Sequence, residues 1–168
     1  MPGSYVKIQS VTVTGATQAA IEFTSIPGTF DDLVIFASLR SNETTVETNA
    51  TISFNGSGAN KSARTLYGNG TSALSYTYNS EIYIWLSGGT STASTFGSAF
   101  YYIPNYAGST NKSVSIDSTM EANITASTMA LTAGLWSNSA AISSITITCG
   151  GGSFVTNSSA TLYGIKKS

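Results

Sequence analysis

An all-β, antiparallel β-sandwich is the fold that this sequence predicts, and three observations predict it. Apolar and polar residues alternate in about ten short runs, evenly spaced, each closed by Gly, Asn or Pro. No segment sets helix formers at a 3.6-residue period clearly enough to win. The stretch Thr29 to Ser41, TFDDLVIFASLRS, begins apolar on both faces, with Leu33, Ile35, Ala37 and Leu39 on one side and Val34 and Phe36 on the other. A strand of that kind needs cover above and below, which two packed sheets supply. At this strand count a jelly roll is the commoner form, and residues 1–168 read as a single sandwich domain.

In chain order, Tyr5 to Thr14 switches its apolar phase from Val6 and Ile8 to Val11 and Val13, which predicts a bulge or bend near Gln9-Ser10 where the chain could pass between sheets. Ile21 and Phe23 mark a short strand, and Ile26-Pro27-Gly28 turns the chain into the central one. There Phe36 is expected between the layers, while Ser38 and Arg40 turn that face polar. Val46, Ala50, Ile52 and Phe54 share the buried face of the next strand, closed by Asn55-Gly56. Arg64 to Tyr67 packs briefly before Gly68-Asn69-Gly70. Tyr76 and Tyr78 lead in phase to Ile82, Ile84 and Leu86, with Tyr83 and Trp85 opposite, up to Gly88-Gly89.

The second half repeats the pattern. Phe96 to Ile103 stops at Pro104, which has no N–H for a ladder. Lys112 falls in a polar loop before Val114, Ile116 and Met120. Met129, Leu131, Ala133 and Leu135 form the apolar set of another strand, although Ala and Met leave room for a helical turn in Glu121 to Leu135. Ile142 to Cys149 and Ala160 to Ile165 follow, separated by Gly150-Gly151-Gly152.

Composition limits the chemistry. Of 168 residues 41% are hydrophobic, enough for a core, while only 9% are charged and the net charge is −1. That balance offers no basic surface for nucleic acid and no polybasic membrane anchor, so neither is expected as a partner. Histidine is absent, which removes the usual general base, the Ser-His-Asp and Cys-His arrangements and the commonest metal ligand. The acidic residues sit in no recognisable motif, and Asp31-Asp32 reads as turn carboxylates accepting backbone N–H groups. Gly150-Gly151-Gly152 lacks the Lys-Ser/Thr of a phosphate loop. Neither an enzyme nor a bound cofactor or metal is expected. Cys149 stands alone, in phase with Ile145 and Ile147, and reads as an inert core thiol. The start, MPGSYVKIQS, has no apolar leader core, so the expectation is synthesis in the cytoplasm without a secretion signal, and the Asn-X-Ser/Thr triplets at Asn42, Asn49, Asn69 and Asn123 are expected to be unmodified.

The series FTSIPGTFDDLVIFASLRS, ISFNGSG, RTLYGNG, YIPNYAGSTNKS, AGLWSNSAAISSITI and ATLYGIKKS resembles, in that order, a group of small β-proteins of tailed bacteriophages, cyanophages included, over Ile21 to Lys166. The resemblance implies a jelly-roll virion protein: a capsid decoration, or cement, protein, or a module of tail fibres. The motifs are turn and strand signatures, so no functional residue carries over. A stand-alone cement protein is the first expectation, on the outer surface of the capsid, with the major capsid protein as partner and a homotrimer as assembly, because the chain shows no heptads or collagen repeat for a fibre shaft. The alternative is a receptor-binding or tail-fibre domain, in which exposed Tyr101, Tyr102 and Tyr106 would stack on host glycans. Trp85 and Trp136 are further candidate interface anchors, with core packing as the competing reading for Tyr83, Trp85 and Trp136. Lys166-Lys167 reads as a solvated tail.

Overall fold

Alternation is strongest where a strand has one covered face, and the computed structural model, which describes residues 4–124 and 127–166, turns these alternations into strands throughout. Among the described residues there are β1 (Ser4–Thr12), β2 (Thr17–Gln18), β3 (Ala20–Phe23), β4 (Asp32–Leu39), β5 (Glu47–Phe54), β6 (Lys61–Gly68), β7 (Ala73–Tyr78), β8 (Tyr83–Ser87), β9 (Gly97–Pro104), β10 (Lys112–Met120), β11 (Thr128–Trp136), β12 (Ile145–Cys149), β13 (Phe154–Val155) and β14 (Ser159–Lys166), and no helix. They pair antiparallel into an eight-stranded sheet, β1-β14-β4-β9-β10-β11-β6-β7, a four-stranded sheet, β3-β12-β5-β8, and a short ribbon of β13 with β2. The antiparallel β-sandwich is therefore present. A jelly roll would need two interlocked Greek keys; this order contains a meander, β9-β10-β11, within the larger sheet.

One buried cluster runs between the sheets, from Val13 to Leu162, with Phe23, Leu33, Ile35, Ile52, Phe54, Ile84, Ile116 and Ile147 at its centre. In β4 the inner set Leu33, Ile35, Ala37 and Leu39 is buried, as alternation requires, and Val34 is buried on the other face. Phe36 departs from expectation. It is 48% exposed, resting beside Phe100 (ring centroids 5.2 Å) and Tyr163 (5.8 Å), because no second layer covers that face of the larger sheet.

Phase is also inverted in β11. Met129, Leu131, Ala133 and Leu135 point outward, and the inner set is Ala130, Thr132, Gly134 and Trp136. Small inner residues let β8 approach closely: a Cβ on Gly134 would stand 2.9 Å from Ile82 Cγ2, and Thr132 Oγ1 donates to the Tyr83 carbonyl at 3.3 Å. The segment expected to run unbroken from Tyr76 to Leu86 divides instead into β7 and β8, which belong to opposite sheets. The window from Glu121 to Leu135 is strand from Thr128, with residues 125 and 126 outside the described residues, as is Lys167. A bulge does interrupt β1, between Lys7 and Gln9, yet β1 stays paired with β14 on both sides of it.

Loops are tied down by buried polar side chains. Arg40 donates to the carbonyls of Gly89, Ser91, Thr92 and Thr95 at 2.8–3.1 Å, holding the 89–95 loop. Asp32 accepts the Asn105 N–H at 3.0 Å and the Tyr102 hydroxyl at 2.9 Å, the turn-carboxylate role its position suggests. Lys112, expected in a polar loop, opens β10 and is 1% exposed; its ammonium donates to the carbonyls of Gly108 (2.7 Å), Thr110 and Ser139 (3.3 Å). Cys149 is buried, donating to the Gly151 carbonyl.

Leu33→Ala is expected to cost about 2–5 kcal/mol, the usual range for emptying a core site. Phe36→Ala should cost about 1 kcal/mol or less, the scale of a surface ring pair, and Lys112→Ala about 1–3 kcal/mol, from carbonyls left without their donor. Urea unfolding of the three variants checks the order, and a Phe36 variant as damaged as the Leu33 one would contradict it.

Candidate interaction surface on the larger sheet

An antiparallel sheet with one face on the core ordinarily turns polar residues to water on the other. The larger sheet does so only in part. Its pairings line up an outward row, Ser75, Leu66, Leu131, Asp117, Phe100, Phe36 and Thr161, across β7, β6, β11, β10, β9, β4 and β14. The adjoining row is Arg64, Ala133, Ser115, Tyr102, Val34, Tyr163 and Lys7. Leu66 is 64% exposed, Met129 62% and Leu131 56%; with Leu135 they form an aliphatic patch over β6 and β11. A second, aromatic patch joins Phe36, Phe100 and Tyr163, with Tyr5 beyond (6.3 Å from Tyr163). Ser115, Asp117 and Thr119 of β10 run between the two. A shallow open groove of about 430 Å³ crosses the aliphatic patch, lined by Leu66, Ala73, Leu74, Asp117, Met129 and Leu131.

Where the larger sheet overhangs the smaller, its inner side carries an aromatic ledge. Tyr67, Tyr76 and Tyr78 meet Tyr83 and Trp85 of β8, with Tyr78 and Tyr83 4.7 Å apart and Tyr67 and Trp85 5.3 Å apart. The Tyr67 hydroxyl donates to Glu47 Oε2 at 2.9 Å. Of the residues singled out in the sequence, Trp85 is half-buried in this ledge and Tyr102 is half-buried on the outer face. Tyr101 and Tyr106 are not exposed: Tyr101 packs inward from β9, and Tyr106 is buried with its hydroxyl donating to the Pro27 carbonyl. Trp136 is core, its ring 5.5 Å from Phe54. The five are not brought to one surface, since Tyr101 and Tyr102 are successive and so point to opposite faces. The aliphatic patch went unrecognised because its residue types are those of a core strand. One signal in the sequence points to it: the alternate set of β11 ends in Trp136, the bulkiest side chain of the segment.

No family model matches the chain, and no curated protein matches it. Among the described residues no three of Cys, Asp and Glu gather where they could hold a metal ion.

Burial pushes the Tyr67, Tyr78, Tyr101 and Tyr106 phenols above their ordinary 10.0 and the Cys149 thiol above 9.0; burial also pulls the Lys112 ammonium below 10.5. Above those values the unfolded chain loses phenol and thiol protons that the folded protein keeps, so it binds fewer protons and stability falls as pH rises. Lys112 acts in the opposite sense, raising stability as pH climbs from its lowered value toward 10.5. Four phenols and a thiol outweigh one ammonium. The urea midpoint is expected to be lower at about pH 11 than at about pH 8; an unchanged or higher midpoint would contradict this assignment.

Proposed function

We propose that this chain is a structural protein of a tailed-bacteriophage virion, a decoration protein that docks the outer face of its eight-stranded sheet on the lattice of the major capsid protein. The observation that carries the reading is the exposed aliphatic patch of Leu66, Met129, Leu131 and Leu135, on a face where an antiparallel sheet normally carries polar groups. A broad sheet face with few charges suits contact with a repeated protein surface better than capture of a small molecule. Arg64, Asp117 and Lys7 are the charged residues of its two outward rows. The resemblance of six ordered motifs to small phage β-proteins supports the same reading, and the jelly-roll form belongs to it. The protein acts by binding alone: a subunit that binds only the assembled lattice stabilises that state by mass action.

A second reading, a receptor-binding module, is favoured by the aromatic ledge of Tyr76, Tyr78, Tyr83 and Trp85, where half-exposed rings could stack on sugar faces. It would not use Tyr101 or Tyr106, which are buried.

Copy number and position separate the two. The decoration reading expects many copies over the head, and virions lacking the protein that form but burst more readily on heating; a few copies at the tail, with attachment lost on deletion, would end it. Leu131→Glu with Met129→Glu is expected to reduce binding to undecorated heads at least tenfold while leaving the melting temperature within a few degrees, about 1 kcal/mol or less for exposed sites. Undiminished binding by that variant would remove this face from the proposal.

A further inference from the structure

The two sheets of the sandwich have four edges, and three are guarded against pairing with another chain. β1 is bulged between Lys7 and Gln9, and Lys7 is exposed on it. β3 spans only Ala20–Phe23 and carries the exposed Glu22. On β8 the outward backbone is already engaged, the Trp85 N–H by Ser118 Oγ (3.5 Å) and the Tyr83 carbonyl by Thr132 Oγ1 (3.3 Å). Bulges, charges, short length and covering groups are the usual means of blunting an edge.

β7 has none of them. Its sequence, ALSYTY, contains no charge and no proline, it pairs regularly with β6 over all six residues, and Ala73 to Thr77 are exposed. The tight turn before it is closed by Asn69 donating to the Ser72 carbonyl, so Asn69 and Ser72 are a hydrogen-bonded pair. Alternation along the ladder then directs the N–H and C=O groups of Leu74, Tyr76 and Tyr78 toward β6 and those of Ala73, Ser75 and Thr77 away from it. Among the described residues nothing hydrogen-bonds those outward groups.

We infer that β7 pairs antiparallel with β7 of a second copy, about a two-fold axis at Ser75, continuing the eight-stranded sheet of one copy into that of the other. This register sets Ser75 opposite Ser75 and Ala73 opposite Thr77, so every outward N–H and C=O of the strand meets a partner. It also keeps the two inner faces on the same side. Leu74 (41% exposed) of one copy then lies against Tyr76 (37% exposed) of the other, a non-hydrogen-bonded pair where side chains are closest. A second copy is the occupant that fits, because the strand is self-complementary in this register and has no charge to repel its image. An isologous two-fold is also the commonest closed assembly of identical chains.

Sedimentation velocity and light scattering of the free protein over a wide concentration range test the inference, independently of any role on a virion. The expected result is a reversible dimer of about twice the monomer mass. Ser75→Pro removes one outward N–H while leaving the β6 ladder intact, and Ser75→Lys places like charges opposite each other across the axis. Each is expected to give a monomer with an unchanged circular dichroism spectrum. Should the proline variant fail to fold, the lysine variant decides alone. A monomer at every concentration, a trimer, or a dimer that survives both substitutions would overturn the inference.

Discussion

Four strands cannot cover eight, and most of what is distinctive about this protein follows from that mismatch. The smaller sheet seals the middle of the larger one, where Leu33, Ile35, Ile116 and Leu162 meet Ile52, Ile84 and Ile147. Toward β7 that cover ends: Lys61, Ala63 and Thr65 on the inner face of β6 are still buried, and beyond them the flank is filled by rings rather than by a second sheet. Aromatic side chains suit the position: each buries a large area while its hydroxyl stays near water or finds a carboxylate, as Tyr67 does with Glu47. The cover is kept tight where it exists by small residues in β11, since a Cβ at Gly134 would press on Val114 of β10 and on Ile82, just ahead of β8.

Charge is scarce, and part of it is used inside. Arg40 and Lys112 are buried cations that meet backbone carbonyls, and Asp32 is a buried carboxylate that meets an N–H and a phenol. Each such contact satisfies loop groups that have no ladder partner, which an apolar side chain could not do. A single ion pair, buried Lys61 with half-buried Glu81 at 2.6 Å, is found among the described residues. The consequence is a surface dominated by hydroxyls, amides and apolar groups, on which long-range electrostatics contributes little to recognition. Association then depends on shape, apolar area and backbone hydrogen bonds.

How much of this was legible in the sequence differs by element. β5 reads correctly because Ala50, Ile52 and Phe54 alternate with polar residues and the strand has one wet face. β4 reads correctly on its inner face, but its second apolar side chain, Phe36, could not be placed, since periodicity tells which residues share a face and not whether anything covers that face. β11 defeats the same rule. Thr132 and Gly134 look like the wet side, yet Thr132 satisfies its hydroxyl against Thr65 at 2.9 Å and against β8, and Gly134 is buried because the sheets approach there. Lys112 looked solvated because the carbonyls that receive it come from residues 108, 110 and 139, a convergence that exists only after folding. The surface patch was hidden by the same inversion that misplaced the core of β11.

An edge and a face of one sheet make contacts in different directions. Pairing at β7 adds strands in the plane of the sheet and uses backbone groups of Ala73, Ser75 and Thr77, whereas the aliphatic patch of Leu66, Met129 and Leu131 projects along the normal to that plane. The first contact therefore leaves the second open, and two copies joined at β7 would present their patches on the same side, because the two-fold keeps inner and outer faces in phase. Two modest patches held side by side on one rigid sheet bind a repeated surface with the effective concentration of a linked pair, provided its spacing matches theirs. For a chain with little charge to steer it, that geometric doubling offers a physical route from weak single contacts to stable occupancy of a lattice.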